Sequence, residues 1–171
     1  MKPGQPRVLI FMGVAGCGKT TVASLFAKQT GATFYEGDDF HPPGNVAKMR
    51  AGIPLTDEDR APWLLALRKI ISDSLAKNTL SIMTCSALKA KYRELLQAGD
   101  ARILFVYLTA PRDILKERLK KRTGHYMPPA LLDSQLSALE PPTDAFTIDA
   151  EKSPEEIVAE LIQVLGLVRT D

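Results

Sequence analysis

The stretch Gly13-Val14-Ala15-Gly16-Cys17-Gly18-Lys19-Thr20 leaves this chain little choice of fold. It fits the pattern G-x-x-x-x-G-K-[ST] in full. It also lies where the pattern has physical meaning, between the apolar run Val8–Met12 and an amphipathic stretch over 19 to about 29. The glycines let the backbone curl so that successive N–H groups point inward, and a following helix adds a field that favours anions. A loop of this kind cradles a nucleotide's phosphates. Gly13, Val14, Ala15, Gly16, Cys17, Gly18, Lys19, Thr20 and Thr21 are therefore read as contacts to ATP. Lys19 is expected to reach the β- and γ-phosphates, and the Thr20 hydroxyl to ligate Mg²⁺. Cys17 occupies a variable position of the loop. Its plain reading is a small filler; the alternative is a thiol made reactive by the helix N-terminus.

The rest of the chain bounds the answer. At 171 residues it suggests one domain, and its hydrophobic fraction of 45% is enough for a core. A net charge of +2 gives no support for a nucleic-acid or membrane partner. The two cysteines, Cys17 and Cys85, make no framework and read as free thiols in a reducing compartment. Val8–Met12 is too short for a signal peptide's apolar region, and nothing approaches the roughly 20 apolar residues of a membrane span. The expected location is the cytoplasm.

Apolar and amphipathic runs alternate along the chain. Strands are expected at 8–12, 33–35, 80–84, 103–108 and 146–148, with helices at 19–29, 57–77, 89–97, after Pro111, and from the Ser153-Pro154-Glu155-Glu156 capping box to about 165. This alternation predicts an α/β, three-layer P-loop NTPase fold, a five-stranded parallel sheet with helices on both faces. Two segments interrupt it. The connection over approximately 37–60 is too long for an ordinary loop and reads as a substrate-binding insertion, with a short helix at 45–50. The segment over approximately 122–142, opening at Gly124, reads as a mobile lid that excludes water from the transfer.

Many P-loop proteins place a metal-organising aspartate at the end of a later strand. Here the third strand ends in Thr84-Cys85-Ser86, without a carboxylate. The acidic pair Asp38-Asp39, just after the second strand, is the nearest substitute. Asp38 is read as the group that orients or deprotonates an attacking hydroxyl, against the plainer reading of an Asx-type turn. Arg118 and Arg122 lie four apart on one helix face, placed to reach over a bound triphosphate. Most other basic residues of that helix read as a solvated face. Trp63 reads as core packing.

These residues, taken together, resemble the small bacterial-type gluconokinases, relatives of the shikimate and adenylate kinases. The resemblance spans nearly the whole chain. Beyond the loop it is carried by Glu36-Gly37-Asp38-Asp39-Phe40-His41-Pro42, by Asp59-Arg60-Ala61-Pro62-Trp63, by Cys85-Ser86-Ala87-Leu88-Lys89, and by Leu132-Asp133-Ser134-Gln135. It implies ATP-dependent phosphorylation of D-gluconate at O6, Mg²⁺, a cytosolic setting and a homodimer. The chain departs from the family in Ala15, Cys17 and Thr20, where serines are commoner, and in Tyr126-Met127-Pro128 of the lid. Gluconate is an anion rich in hydroxyls. His41, Lys48, Arg60, Lys89, Arg93, His125 and Gln135, with Asp38, supply the kind of lining it needs. Lys19, Arg118 and Arg122 are the expected stabilisers of charge on the moving phosphoryl group. Two other readings stay open: a kinase of this build with another acceptor, such as shikimate or a nucleotide, and a nucleotide-driven switch.

Overall fold

Val8–Met12 holds no polar residue, and a parallel strand of that kind is stable only with both faces covered. In the computed structural model, which describes residues 5–121 and 131–167, it is the central strand β1 (Val8–Met12). β3 (Ser81–Thr84) pairs along one edge of β1 and β4 (Ile103–Thr109) along the other. β2 (Thr33–Tyr35) and β5 (Phe146–Asp149) close the two sides, giving the parallel order β2-β3-β1-β4-β5.

The strand's period of two sends its side chains to two cores. Leu9 and Phe11 pack with α1 (Lys19–Thr30), α5 (Arg112–Lys120) and α7 (Pro154–Val164), through residues such as Phe26, Leu115 and Ile157. Val8, Ile10 and Met12 pack on the opposite face with α3 (Asp57–Lys77) and α4 (Ala90–Gln97), through Trp63, Leu67, Ile71 and Leu96. The three layers follow directly from that division. The order reverses at β1: β3 and β2 lie on one side of it and β4 and β5 on the other. A crevice for ligands is expected there, at the carboxyl ends of the strands.

Local chemistry sets the element ends. Thr56 and Asp59 form a reciprocal capping box at the start of α3, and Asn78 in the left-handed region stops it. Ser153 and Glu156 do the same for α7, with Pro154 in its first turn. The connection after β2 is more ordered than a long loop. A 3-10 turn over Gly37–Phe40 leads into α2 (Pro43–Arg50). The segment read as a lid divides. Residues 122–130 lie outside the described residues, but α6 (Leu131–Ala138) is part of the packed body. Leu132 is fully buried in the same core as β1, because Leu131, Leu132 and Leu136 give this helix an apolar side. The segment expected as a lid over approximately 122–142 thus ends on a helix that is packed against the core.

Candidate active site

The loop after β1 bends through Gly13, Gly16 and Gly18, all at positive φ. Gly13 has no alternative, since a Cβ there would come within 2.5 Å of the Leu108 carbonyl. Gly18 sits at the N-terminus of α1, and no side chain caps that helix end. Its N–H groups are left for an anion. The Lys19 ammonium folds back over the loop and donates to the carbonyls of Gly13 (3.0 Å) and Val14 (3.2 Å). A side chain held by two carbonyls at the centre of the curl is poised to exchange them for phosphate oxygens. α6 braces the loop from the side: the Gln135 Oε1 accepts the Ala15 N–H at 2.7 Å.

A carboxylate hydrogen-bonded to this loop is that of Glu36, which the sequence reading passed over in favour of the Asp38-Asp39 pair. The Thr20 hydroxyl donates to Glu36 Oε2 at 2.7 Å, and the Thr84 hydroxyl donates to Glu36 Oε1. Thr84 in turn accepts the Gly37 N–H at 2.9 Å. β2 and β3 are thus tied at their carboxyl ends beside the loop. Gly37 is required at this point because a Cβ would stand 1.9 Å from the Thr84 carbonyl oxygen. The signal available in the sequence was position: Glu36 is the first residue after a strand that ends beside the phosphate loop. Thr20 and Glu36 offer hard oxygen donors, which fit Mg²⁺. No group of three or more His, Cys, Asp or Glu able to hold a metal occurs among the described residues. Such sparse protein ligation suits an ion that keeps waters and takes phosphate oxygens.

A cavity opens against the loop. Its lining includes Ala15, Gly16, Gly18, Lys19 and Thr20 on one side and Asp38, His41, Arg60 and Trp63 on the other, with Leu131, Ser134 and Gln135 from α6. The ring of His41 stacks on Trp63 at 4.1 Å and 16°. Trp63 is core packing, as expected, but it also fixes the site, because its indole N–H donates to the Gly37 carbonyl at 2.8 Å. Burial, and after it the Arg60 charge, lower the His41 pKa to about 4, so the imidazole is neutral at pH 7. Arg60 donates to the Leu55 carbonyl at 2.7 Å and leans on the face and hydroxyl of Tyr92.

Three of the expected substrate residues sit elsewhere. Lys48 is paired with Asp59 at 2.7 Å and Lys89 with Asp57 at 2.8 Å. Asp57 also binds Lys91 and the Tyr92 hydroxyl, and these three partners, Lys89 first, hold its carboxyl well below the usual carboxylate range. The Arg93 guanidinium is buried and donates to the carbonyls of Ala87 (2.9 Å) and Leu88 (3.3 Å). It props the turn after β3, where Ala87 has φ 45°. None of the three lines the cavity. Arg122 and His125 lie outside the described residues. Arg118 lines a second groove on the far side of the loop, with Gly16, Cys17, Gly18, Thr21 and Lys152, and donates to the Ala150 carbonyl at 2.6 Å. The thiol of Cys17 belongs to the core at 1% exposure, which argues for the filler reading over a reactive group. Burial pushes the Cys85 thiol up to about 12.

A phosphate loop at the end of the central strand, with a cavity of mixed polar and apolar lining pressed against its lysine, defines a P-loop kinase. The sequence model of the shikimate kinase family matches residues 15–166. A gluconokinase from Gluconobacter oxydans is 46% identical over 162 residues, 93% of this chain and 91% of its own. The structure of a sugar kinase from Janibacter superposes with a TM-score of 0.87 at 42% identity, covering 95% of each chain. That of a gluconokinase from Sinorhizobium meliloti superposes with a TM-score of 0.83 at 41% identity, covering 94% of this chain and 92% of that one. The chain belongs to the shikimate kinase family, among its gluconokinases.

Proposed function

We propose that this chain transfers the γ-phosphoryl group of ATP to the 6-hydroxyl of D-gluconate by direct in-line displacement, without a phosphoenzyme. The observation that carries this reading is the shared cavity. Its phosphate wall, with Lys19 and Thr20, faces Asp38, His41 and Arg60 across one space. The bond from O6 to the γ-phosphorus forms as the bond from that phosphorus to the bridging oxygen of ADP breaks. The O6 proton passes to the Asp38 carboxylate. MgATP, when bound, supplies the phosphoryl group and the metal's compensating charge.

The residues divide the work. Lys19 would give up its two carbonyl partners for phosphate oxygens, and Thr20 with Glu36 would hold the metal and its waters. Arg60 offers the cavity's guanidinium to the sugar acid's carboxylate. His41 offers a neutral ring to its hydroxyls. The second groove, with Arg118, takes the rest of the nucleotide. Arg122 and His125 complete the phosphoryl and acceptor contacts on the strength of sequence alone. Lys48, Lys89 and Arg93 serve the site by holding its walls. Mg²⁺, a homodimer and a cytosolic setting come with the family resemblance. Among the described residues, no helix is long and apolar enough to cross a membrane.

The test is turnover of ATP with Mg²⁺ across an acceptor panel of D-gluconate, other sugar acids, shikimate and nucleoside monophosphates. Dependence on D-gluconate with 6-phosphogluconate as product is the expected result. Turnover with a different acceptor would keep the mechanism and overturn the substrate; hydrolysis indifferent to every acceptor would overturn both. Asp38→Asn should lower kcat by on the order of 10²-fold or more, the usual worth of a positioned base.

A further inference from the structure

The orientation of one buried amide dictates where a proton sits in the cavity. Asn45, in the first turn of α2, is buried, and its Nδ2 donates to the Asp59 carbonyl at 2.7 Å. A carbonyl oxygen only accepts, so the amide nitrogen is the atom that faces it. The same Nδ2 lies 3.3 Å from His41 Nδ1. An amide NH₂ only donates, so Nδ1 must be the acceptor and cannot carry a proton. A neutral imidazole then has its proton on Nε2. Stacking on Trp63 fixes the plane of the ring, and Trp63 is itself tied to Gly37. Nε2 stands 4.0 Å from Asp38 Oδ1.

That separation is too long for a hydrogen bond. It does suit one oxygen placed about 2.8 Å from each atom. An alcohol hydroxyl meets both demands: it accepts from the Nε2–H and donates its proton to the carboxylate. We propose that Asn45 is a positioning residue that holds His41 as the Nε2–H tautomer, so that His41 and Asp38 together grip the acceptor hydroxyl with its proton directed at Asp38. This rests on reading the cavity as the acceptor site. It adds a residue to that site and states which lone pair of the hydroxyl is occupied, leaving the other for the phosphorus. A reversed tautomer would place an acceptor beside the carboxylate and hold no hydroxyl in that orientation.

The tautomer can be read without any assay of activity. The full chain contains two histidines, His41 and His125, so a long-range ¹H–¹⁵N spectrum of the ¹⁵N-labelled protein is simple, and His125→Gln assigns it. The expected spectrum shows Nε2 with the shift of a protonated ring nitrogen and Nδ1 with that of an unprotonated one near pH 7. A proton on Nδ1, protons on both, or averaged shifts would overturn the proposal. Asn45→Asp keeps the shape but presents an acceptor to Nδ1. It should draw the proton to that nitrogen and lower kcat/KM for gluconate by roughly tenfold to a hundredfold, as loss of a histidine's orienting partner does at metal sites. The KM for ATP should stay within about twofold. An unchanged spectrum and unchanged kinetics in Asn45→Asp would also overturn it. If that variant does not fold, the unsubstituted protein's spectrum decides. The outcomes separate cleanly: an Nδ1–H tautomer in a protein that phosphorylates gluconate sinks this inference alone, whereas an Nε2–H tautomer without gluconate turnover sinks the substrate reading alone.

Discussion

Glu36 shows how much a single side chain can organise. Its two oxygens take the hydroxyls of Thr20, from the phosphate loop, and Thr84, from the end of β3. In Glu36→Gln the volume and most of the packing stay, but one end of the side chain becomes a donor and the charge is lost. Turnover should fall by about tenfold to a hundredfold, with a raised Mg²⁺ requirement and little change in the KM for gluconate. A Mg²⁺ titration of initial rates checks this. His41 carries a second prediction. Its folded pKa of about 4 lies below the ordinary 6.5, so between those values the unfolded chain binds a proton that the folded chain does not. The stabilisation is complete above about pH 6.5 and is lost as pH falls toward 4. Urea unfolding at pH 7.5 and pH 5 should differ by roughly 1–2 kcal/mol more in the parent than in His41→Gln.

Among the elements, α6 and the paired starts of α3 and α4 matter most to the site. α6 reaches the phosphate loop through Gln135, whose Oε1 accepts the Ala15 N–H. Gln135→Leu would leave that buried N–H without this acceptor, at a cost of roughly 1–3 kcal/mol. Denaturant unfolding should show the loss, and the KM for ATP should rise because the loop is no longer held open. At the other wall, Asp57 at the start of α3 gathers Lys89, just before α4, and Lys91 and Tyr92 from its first turn, and Tyr92 carries Arg60. Lys89, expected among the substrate ligands, therefore fastens the starts of two helices together. With its carboxyl held below the ordinary range, Asp57 stays ionised, and the tie intact, through mildly acid conditions.

The whole molecule places its two cavities on either side of one loop, so nucleotide binding should tighten the entire domain. A ligand at about 100 times its Kd adds about 2.7 kcal/mol to stability. For a chain of 171 residues that is a rise in Tm of roughly 5–11 °C. Thermal unfolding with MgADP or a non-hydrolysable ATP analogue should show it, and Lys19→Ala should abolish most of it. Equal stabilisation in Lys19→Ala would mean that the nucleotide binds away from the loop.

What the amino-acid sequence determined by itself is what neighbouring residues decide. The apolar run before the glycines made β1, the loop motif followed from eight consecutive residues, the apolar face over 57–77 marked α3, and the Ser153 capping box opened α7. Those signals are local, and period and turn chemistry express them directly. The tertiary structure alone decided which polar groups meet. Thr20 finds Glu36 16 residues away, Asp57 finds Lys89 32 away, Glu36 finds Thr84 48 away, and Ala15 finds Gln135 120 away. A lysine that binds a substrate and a lysine that binds an aspartate are written alike in the chain. Which of the two it is depends on the side chain that the folded sheet and helices bring within hydrogen-bonding reach.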